Sequence, residues 1–222
     1  LAGHNYSGQT EVLAESCNIK NAGMLFTAKS PITSWRFNTL LATTHIPLNE
    51  ISKNLIKNKD LIISKLNLLC EFSKQFNNPP TLRVAGLNPH AGEEGILGLE
   101  EKNFIETYLK IWAENNPEVK LEGPISPDSC WISSIKAWKE NKSYGHDGIL
   151  AMYHDQGLIP MKIIASNYSV NTTVGLPIIR TSPDHGTGFD IFNKGIAQCQ
   201  SIIEAIKTAN ELCTKSRLLN AH

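Results

Sequence analysis

The 222-residue chain can bury one sizeable core, or one core and a minor lobe, and its 41% hydrophobic content fits a globular domain. Its 21 Lys and Arg balance 21 Asp and Glu, which excludes a general basic field for nucleic acid and an acidic tail; a local basic pocket for phosphate stays open. No apolar run approaches the roughly 20 residues that cross a bilayer, so no membrane partner is expected.

The opening, Leu1 to Tyr6, has neither the basic nor the hydrophobic region of a signal peptide. With no initiator Met, the chain is expected to start inside a longer, cytoplasmic protein. The five cysteines (Cys17, Cys70, Cys130, Cys199 and Cys213) are odd in number and lack paired metal-ligand spacing. They read as reduced thiols, mostly filling core space.

Apolar runs alternate with helical patterns. Leu40 to Thr44 reads as a buried strand. From Leu48 to about Phe76, apolar residues recur at helical spacing, with a break near Lys57 to Asp60 and a stop at Asn77-Asn78-Pro79-Pro80. Thr81 to Leu87 is the next strand, Glu100 to Asn115 an amphipathic helix, Val119 to Leu121 a short strand and Cys130 to Trp138 a short helix. Gly148 to Tyr153 is a further buried strand, and Ile202 to Leu212 marks a closing helix. The longest loops are expected around Pro124 and Pro127 and from Gly175 to Gly188. Alternating strands and helices predict an α/β fold, a mostly parallel sheet flanked by helices, with no linker dividing the chain.

Three predicted strands run into a histidine: Leu41-Ala42-Thr43-Thr44-His45, Ala85 to His90, and Leu150-Ala151-Met152-Tyr153-His154. Residues expected to turn the chain follow each one: Pro47, Gly92 and Gly157. Ligands of open α/β sheets bind outside the carboxyl ends of the strands, where three neutral imidazoles can converge on a divalent metal. A lone loop histidine is ordinarily a surface or hydrogen-bonding residue, so pattern alone leaves both readings open. Asp155 beside His154 and Asp128 in a Pro-rich loop fit either acids near a metal or solvated loop acids.

Lys162, Asn171 and Arg180 offer a point charge, an amide and a planar donor fork suited to a phosphate; surface charge is the competing reading. In Asp184-His185-Gly186-Thr187-Gly188-Phe189-Asp190-Ile191, the glycines let backbone approach a ligand. Ile191 stands where the third glycine of the dinucleotide fingerprint falls, so a Rossmann site is not expected. Neither a P-loop nor a G-x-S-x-G elbow is present.

At these residues the sequence resembles the 4-hydroxythreonine-4-phosphate dehydrogenase family of vitamin B6 biosynthesis. The likeness runs from about Gly8 to the C-terminal helix. It is carried by Ser7-Gly8-Gln9-Thr10-Glu11, Ala42 to Leu48, Gly86-Leu87-Asn88-Pro89-His90-Ala91-Gly92-Glu93, Ala151 to Gly157, and Val170 to Pro177 continuing to Arg180-Thr181-Ser182.

The resemblance implies an isocitrate/isopropylmalate dehydrogenase-like fold. It places metal ligands at His45, His90 and His154, and substrate contacts at Gln9, Thr10, Lys162, Asn171 and Arg180. Asp128, Asp155 and Lys162 become the candidate acid–base groups, and His185, Gly186, Thr187 and Asp190 an adenine-side loop for NAD or NADP. It further implies a divalent metal (Zn, Mg or Co), a small phosphorylated amino-acid substrate and a homodimer with a shared active site.

Residues 1–222 would then be the C-terminal metal, substrate and dimerisation part of a two-domain enzyme, with about 175–222 returning toward the NAD-side domain. Gln9 departs from the family, which usually has histidine there, and the family's N-terminal segment is absent. The alternatives are a related dehydrogenase of another phosphorylated hydroxy acid and an inactive metal-binding fragment.

Overall fold

Seven strands form one sheet in the computed structural model, which describes residues 6, 8–58 and 60–219. The first residues, Leu1 to Asn5, and Ser7 of the opening motif lie outside the described residues. The elements, in chain order, are α1 (Gln9–Ser16), β1 (Gly23–Lys29), β2 (Arg36–Leu41), α2 (Leu48–Lys57), α3 (Leu61–Lys74) and β3 (Thr81–Ala85), then α4 (Glu106–Asn115), β4 (Lys120–Ile125), α5 (Ile132–Lys139), β5 (Gly148–Ala151), α6 (His154–Ala165), β6 (Val170–Val174), β7 (Arg180–Pro183) and α7 (Gln200–Leu219).

The sheet order is β4-β3-β5-β2-β1-β6-β7. Pairings are parallel from β4 through β2 and antiparallel from β2 through β7. Five strands, β2 to β6, therefore point one way and only β1 and β7 the other. That is the mostly parallel sheet expected, with an antiparallel flank that was not.

Strand alternation sorts the core into two layers. Leu25, Leu40, Leu82, Val84 and Leu150 face α2, α3 and α4 on one side. Met24, Phe26, Phe37, Leu41, Ile149 and Ala151 face α5 and α6 on the other. Helices on both faces are what a parallel sheet requires. Leu212 of α7 joins the first layer, so the chain's end packs on the same sheet.

Most expected elements are present, with differences that have physical causes. The Gly175–Gly188 stretch is not all loop: it contains β7, an edge strand whose terminal Pro183 costs no ladder donor. Gly157 does not turn the chain. It lies inside α6, where a Cβ would stand 2.6 Å from Leu41 Cδ2, so its missing side chain lets the helix approach the sheet. The helix expected from Glu100 opens with a π turn, Glu101–Ile105. Only Cys70 and Cys130 are buried, while Cys199 and Cys213 are exposed, so thiols do not mostly fill the core. No helix among the described residues is long and apolar enough to cross a membrane.

Candidate active site at the carboxyl edge of the sheet

The strands that deliver the three histidines are neighbours in the order β3-β5-β2. Being parallel, they release His90, His154 and His45 at one edge. The ladder continues past β2, since Ala42 and Thr43 donate to the Ala151 and Met152 carbonyls. This seats the loop of His45 against the start of α6. Buried Gln156 completes the seam: its amide donates to the Gly86 carbonyl at 2.6 Å, and its oxygen accepts from the Met152 N–H at 2.6 Å. Sequence reasoning passed over this residue, whose only signal is an amide in the first turn of a helix on buried strands.

His45 and His154 come together, with ring centroids 5.8 Å apart. His154 Nδ1 lies 2.7 Å from Asp155 Oδ1, and His45 Nδ1 lies 3.8 Å from Glu11 Oε1. A carboxylate on one ring nitrogen orients an imidazole and leaves Nε2 as the donor atom toward a metal. Two adjacent imidazoles, one hydrogen-bonded through Nδ1 to Asp155 and the other 3.8 Å from Glu11, fit a divalent cation chemically. Glu11 was not among the expected site residues; it is legible only as the acid directly after Thr10.

His90 is not brought into this pair. No group of three or more His, Cys, Asp or Glu that could hold a metal occurs among the described residues. Three-histidine convergence therefore does not occur within a single copy of the described chain. His90 instead lies in the field of Asp128. The Ser126 hydroxyl, 2.5 Å away, is the main cause holding the Asp128 carboxyl below its ordinary value, and His90 adds to it.

The backbone at His90 is unusual. His90, Ala91, Gly92, Glu93 and Glu94 all have positive φ, forming a left-handed turn between Pro89 and Gly95. Such geometry costs roughly 1–2 kcal/mol per residue for L-amino acids.

The phosphate trio is split. Arg180 donates to Gln9 Oε1 at 2.7 Å and approaches Asn171 Oδ1 and Thr173 Oγ1 at 3.4 Å. Burial lowers its guanidinium from the ordinary value, yet an arginine keeps its charge. Thr10, next to Gln9 at the start of α1, is buried. Lys162 is elsewhere, paired with Asp184 at 2.8 Å, and Asp184 also accepts from Ser169 at 2.6 Å. The regular spacing of Lys162, Asn171 and Arg180 along the chain does not carry over into one cluster.

Asp184 opens the loop expected to meet the adenine side of a cofactor. His185, Gly186, Thr187 and Asp190 line a cleft of about 870 Å³ with Phe192 and Ile196. A Cβ at Gly186 would meet nothing within 4 Å. No packing inside the chain requires that glycine, which leaves its backbone open to a ligand.

Residues 1–209 match the family described as pyridoxal phosphate biosynthetic protein PdxA. The chain belongs to the PdxA family. It is 52% identical to a 4-hydroxythreonine-4-phosphate dehydrogenase of Synechococcus sp. RCC307, over 95% of this chain and 64% of that protein. A Synechocystis relative of the same name is 49% identical over 95% of this chain and 61% of its own length. The crystal structure of the Klebsiella pneumoniae 4-hydroxythreonine-4-phosphate dehydrogenase superposes with a TM-score of 0.73 at 34% identity, covering 94% of this chain and 58% of that one. The PdxA fold, related to that of isocitrate and isopropylmalate dehydrogenases, is thus present. The chain spans about three-fifths of the length of the relatives it matches.

Proposed function

We propose that this chain carries the metal and substrate part of an NAD- or NADP-linked dehydrogenase. Its substrate is 4-phosphooxy-threonine, oxidised at the hydroxyl to a 2-amino-3-oxo acid phosphate that then loses carbon dioxide on the way to pyridoxal phosphate. The carrying observation is the His45–His154 pair, each ring faced by a carboxylate, at the carboxyl edge of a PdxA-family sheet. The names of the relatives support the substrate and the reaction.

His45 and His154 would hold the cation, with the His90 of a second copy as the third ligand; Zn, Mg or Co would supply Lewis-acid polarisation of the hydroxyl oxygen. His185, Gly186, Thr187 and Asp190 would line the nicotinamide cofactor, which would supply the hydride acceptor. Arg180, Asn171, Gln9 and Thr10 bind the phosphorylated substrate. Gln9 offers Arg180 a neutral acceptor, where a charged imidazole would repel the guanidinium. Lys162 contributes a cation beside Asp184. Asp155 is the candidate proton acceptor, and its bond to His154 makes it the group that orients that ring. Asp128, exposed and ionised, adds negative charge on the His90 side.

The same reading includes a homodimer that completes the site, in the cytoplasm. Its support is an apolar hollow of about 430 Å³ between α5 and α6, beside Asp128 and Asp155. There Ile135, Ile159 and Ile163 are exposed by 42%, 58% and 77%.

The deciding experiment is equilibrium titration with Zn²⁺ of the parent, His45→Ala and His154→Ala proteins. Each substitution removes one donor and is expected to weaken binding by at least about 100-fold, more than loss of a supporting residue does. Equal metal content in parent and variants sinks the assignment. In the full-length natural protein, NAD reduction with phosphohydroxythreonine and metal tests the reaction itself.

A further inference from the structure

His90 stands on backbone that side-chain-bearing residues avoid, and the turn's own bonds, from the Ala91, Ile96 and Leu97 N–H groups to the Asn88, Glu93 and Gly92 carbonyls, leave that penalty in place. The φ angles from His90 to Glu94 are 51, 52, 81, 42 and 56°, and only Gly92 is free of the Cβ penalty.

Glu101, at the opening of the π turn before α4, is 1% exposed. Its Oε1 accepts from the Leu87 and Asn88 N–H groups at 2.7 and 2.8 Å, and its Oε2 accepts from Asn88 Nδ2 at 2.8 Å. All three donors belong to the two residues that feed the turn. The turn also closes around the carboxylate: a Cβ at Gly92 would lie 2.9 Å from Oε2, and one at Gly86 3.2 Å from Oε1.

A buried carboxylate is tolerated when its oxygens are hydrogen-bonded. Here amides do this, with no ion pair to Glu101 among the described residues. The neighbouring acid extends the device, since Glu100 accepts from Asn88 Nδ2 at 2.8 Å and from the Ser52 hydroxyl at 2.6 Å. Ser52 belongs to α2, which starts three residues after His45. The two carboxylates thus tie the loop of one histidine to the helix that follows another. π turns recur at functional positions, and this one presents Glu101 to the loop.

We propose that Glu101 is a positioning residue: its buried carboxylate holds the left-handed turn in place and thereby sets where the His90 imidazole sits at the carboxyl edge. The inference rests on the reading of that edge as the metal and substrate site. It adds a residue that does not itself touch ligand.

The test compares the parent with Glu101→Gln, Glu101→Ala and His90→Ala by amide-exchange mass spectrometry, thermal unfolding and Zn²⁺ titration. Gln keeps the shape but turns one acceptor into a donor, facing either the backbone amides or Asn88. Both Glu101 variants are expected to exchange at least ~10-fold faster over residues 87–95, while peptides of β2 and β5 keep their protection. Zn²⁺ binding should weaken by about 10–100-fold, the usual effect of removing a supporting residue, and less in Gln than in Ala.

Unchanged exchange over 87–95 in both variants overturns the proposal. So does loss of protection throughout the sheet, because Glu101 would then be holding up the fold. If His90→Ala binds Zn²⁺ like the parent, the ligand role of His90 fails, and the exchange result alone decides the role of Glu101.

Discussion

The β5–α6 junction and the loop after β3 carry the same sequence signature, a buried strand followed by an imidazole, and they realise it in opposite ways. His154 is the first residue of α6, entered through an extended Tyr153, and its acid partner Asp155 is the next residue and 67% exposed. No residue there has positive φ. His90 sits in a left-handed turn with four non-glycine residues at positive φ, at roughly 1–2 kcal/mol each. Its restraint comes from an acid eleven positions away. Three hydrogen bonds to a charged acceptor, at about 1.5–3 kcal/mol each, are of the size needed to offset that cost. A histidine can therefore be aimed by local backbone, or by backbone that only a distant carboxylate makes tenable.

The sharpest way to break the comparison is Gly92→Ala. Its Cβ would stand 2.8 Å from the Gly98 carbonyl and 2.9 Å from Glu101 Oε2, at a φ of 81°. The substitution should cost about 2–4 kcal/mol in urea unfolding, combining the positive-φ penalty with overpacking. A change below the fitting error would mean the turn is easily replaced.

Gly157→Ala probes the relaxed junction. Its Cβ meets Leu41 and Thr39 side chains at 2.6 and 2.9 Å. Overpacking opposes the helix propensity gained, so a smaller loss of about 1–2 kcal/mol is expected. A loss exceeding that of Gly92→Ala would reverse the ranking of the two regions.

The smallest effect concerns the flank of β3. Arg83 of that strand, Lys120 and buried His146 surround Glu122, at 2.8, 2.7 and 2.9 Å. The Lys120 and Arg83 bonds hold the Glu122 carboxyl down to about 2. Its folded value is depressed, so its stabilisation is present above its ordinary value near 4.5 and is lost as pH falls toward 2. Burial lowers His146 from its ordinary value, so acid also favours its unfolded, protonated form. Glu122→Gln should flatten stability against pH between 5 and 3 by about 1 kcal/mol, allowing for partial solvent screening. Parallel curves for variant and parent would remove Glu122 from the acid response.

Legibility followed the range of the interactions. The run Gly148 to Tyr153, the helical break near Lys57 to Asp60 and the closing helix were readable, because apolar periodicity reports burial locally. The edge strand β7 was hidden by Pro177 and Pro183, and β6 by its polar Asn171, Thr172 and Thr173, whose place in the sheet comes from pairing with β1. At the site, the strand-end histidines were visible one by one. Their grouping was not: His45 joins His154, His90 stays out of that pair, and Lys162 leaves the other phosphate-site residues for Asp184. Glu11, Gln156 and Glu101 carry no local signal beyond being polar.

By itself, the sequence showed several buried strands and helices, including β2, β3, β5, α3, α4 and α7, their alternation, and three strands that run into an imidazole, while β1, α6, β6 and β7 went unread. Those properties depend on side-chain hydrophobicity and period, which are local. Only the tertiary structure decided the strand order β3-β5-β2, the pairing of rings with acids, and the left-handed turn over a buried carboxylate. Each of these requires groups distant along the chain to meet, and no single segment encodes the meeting.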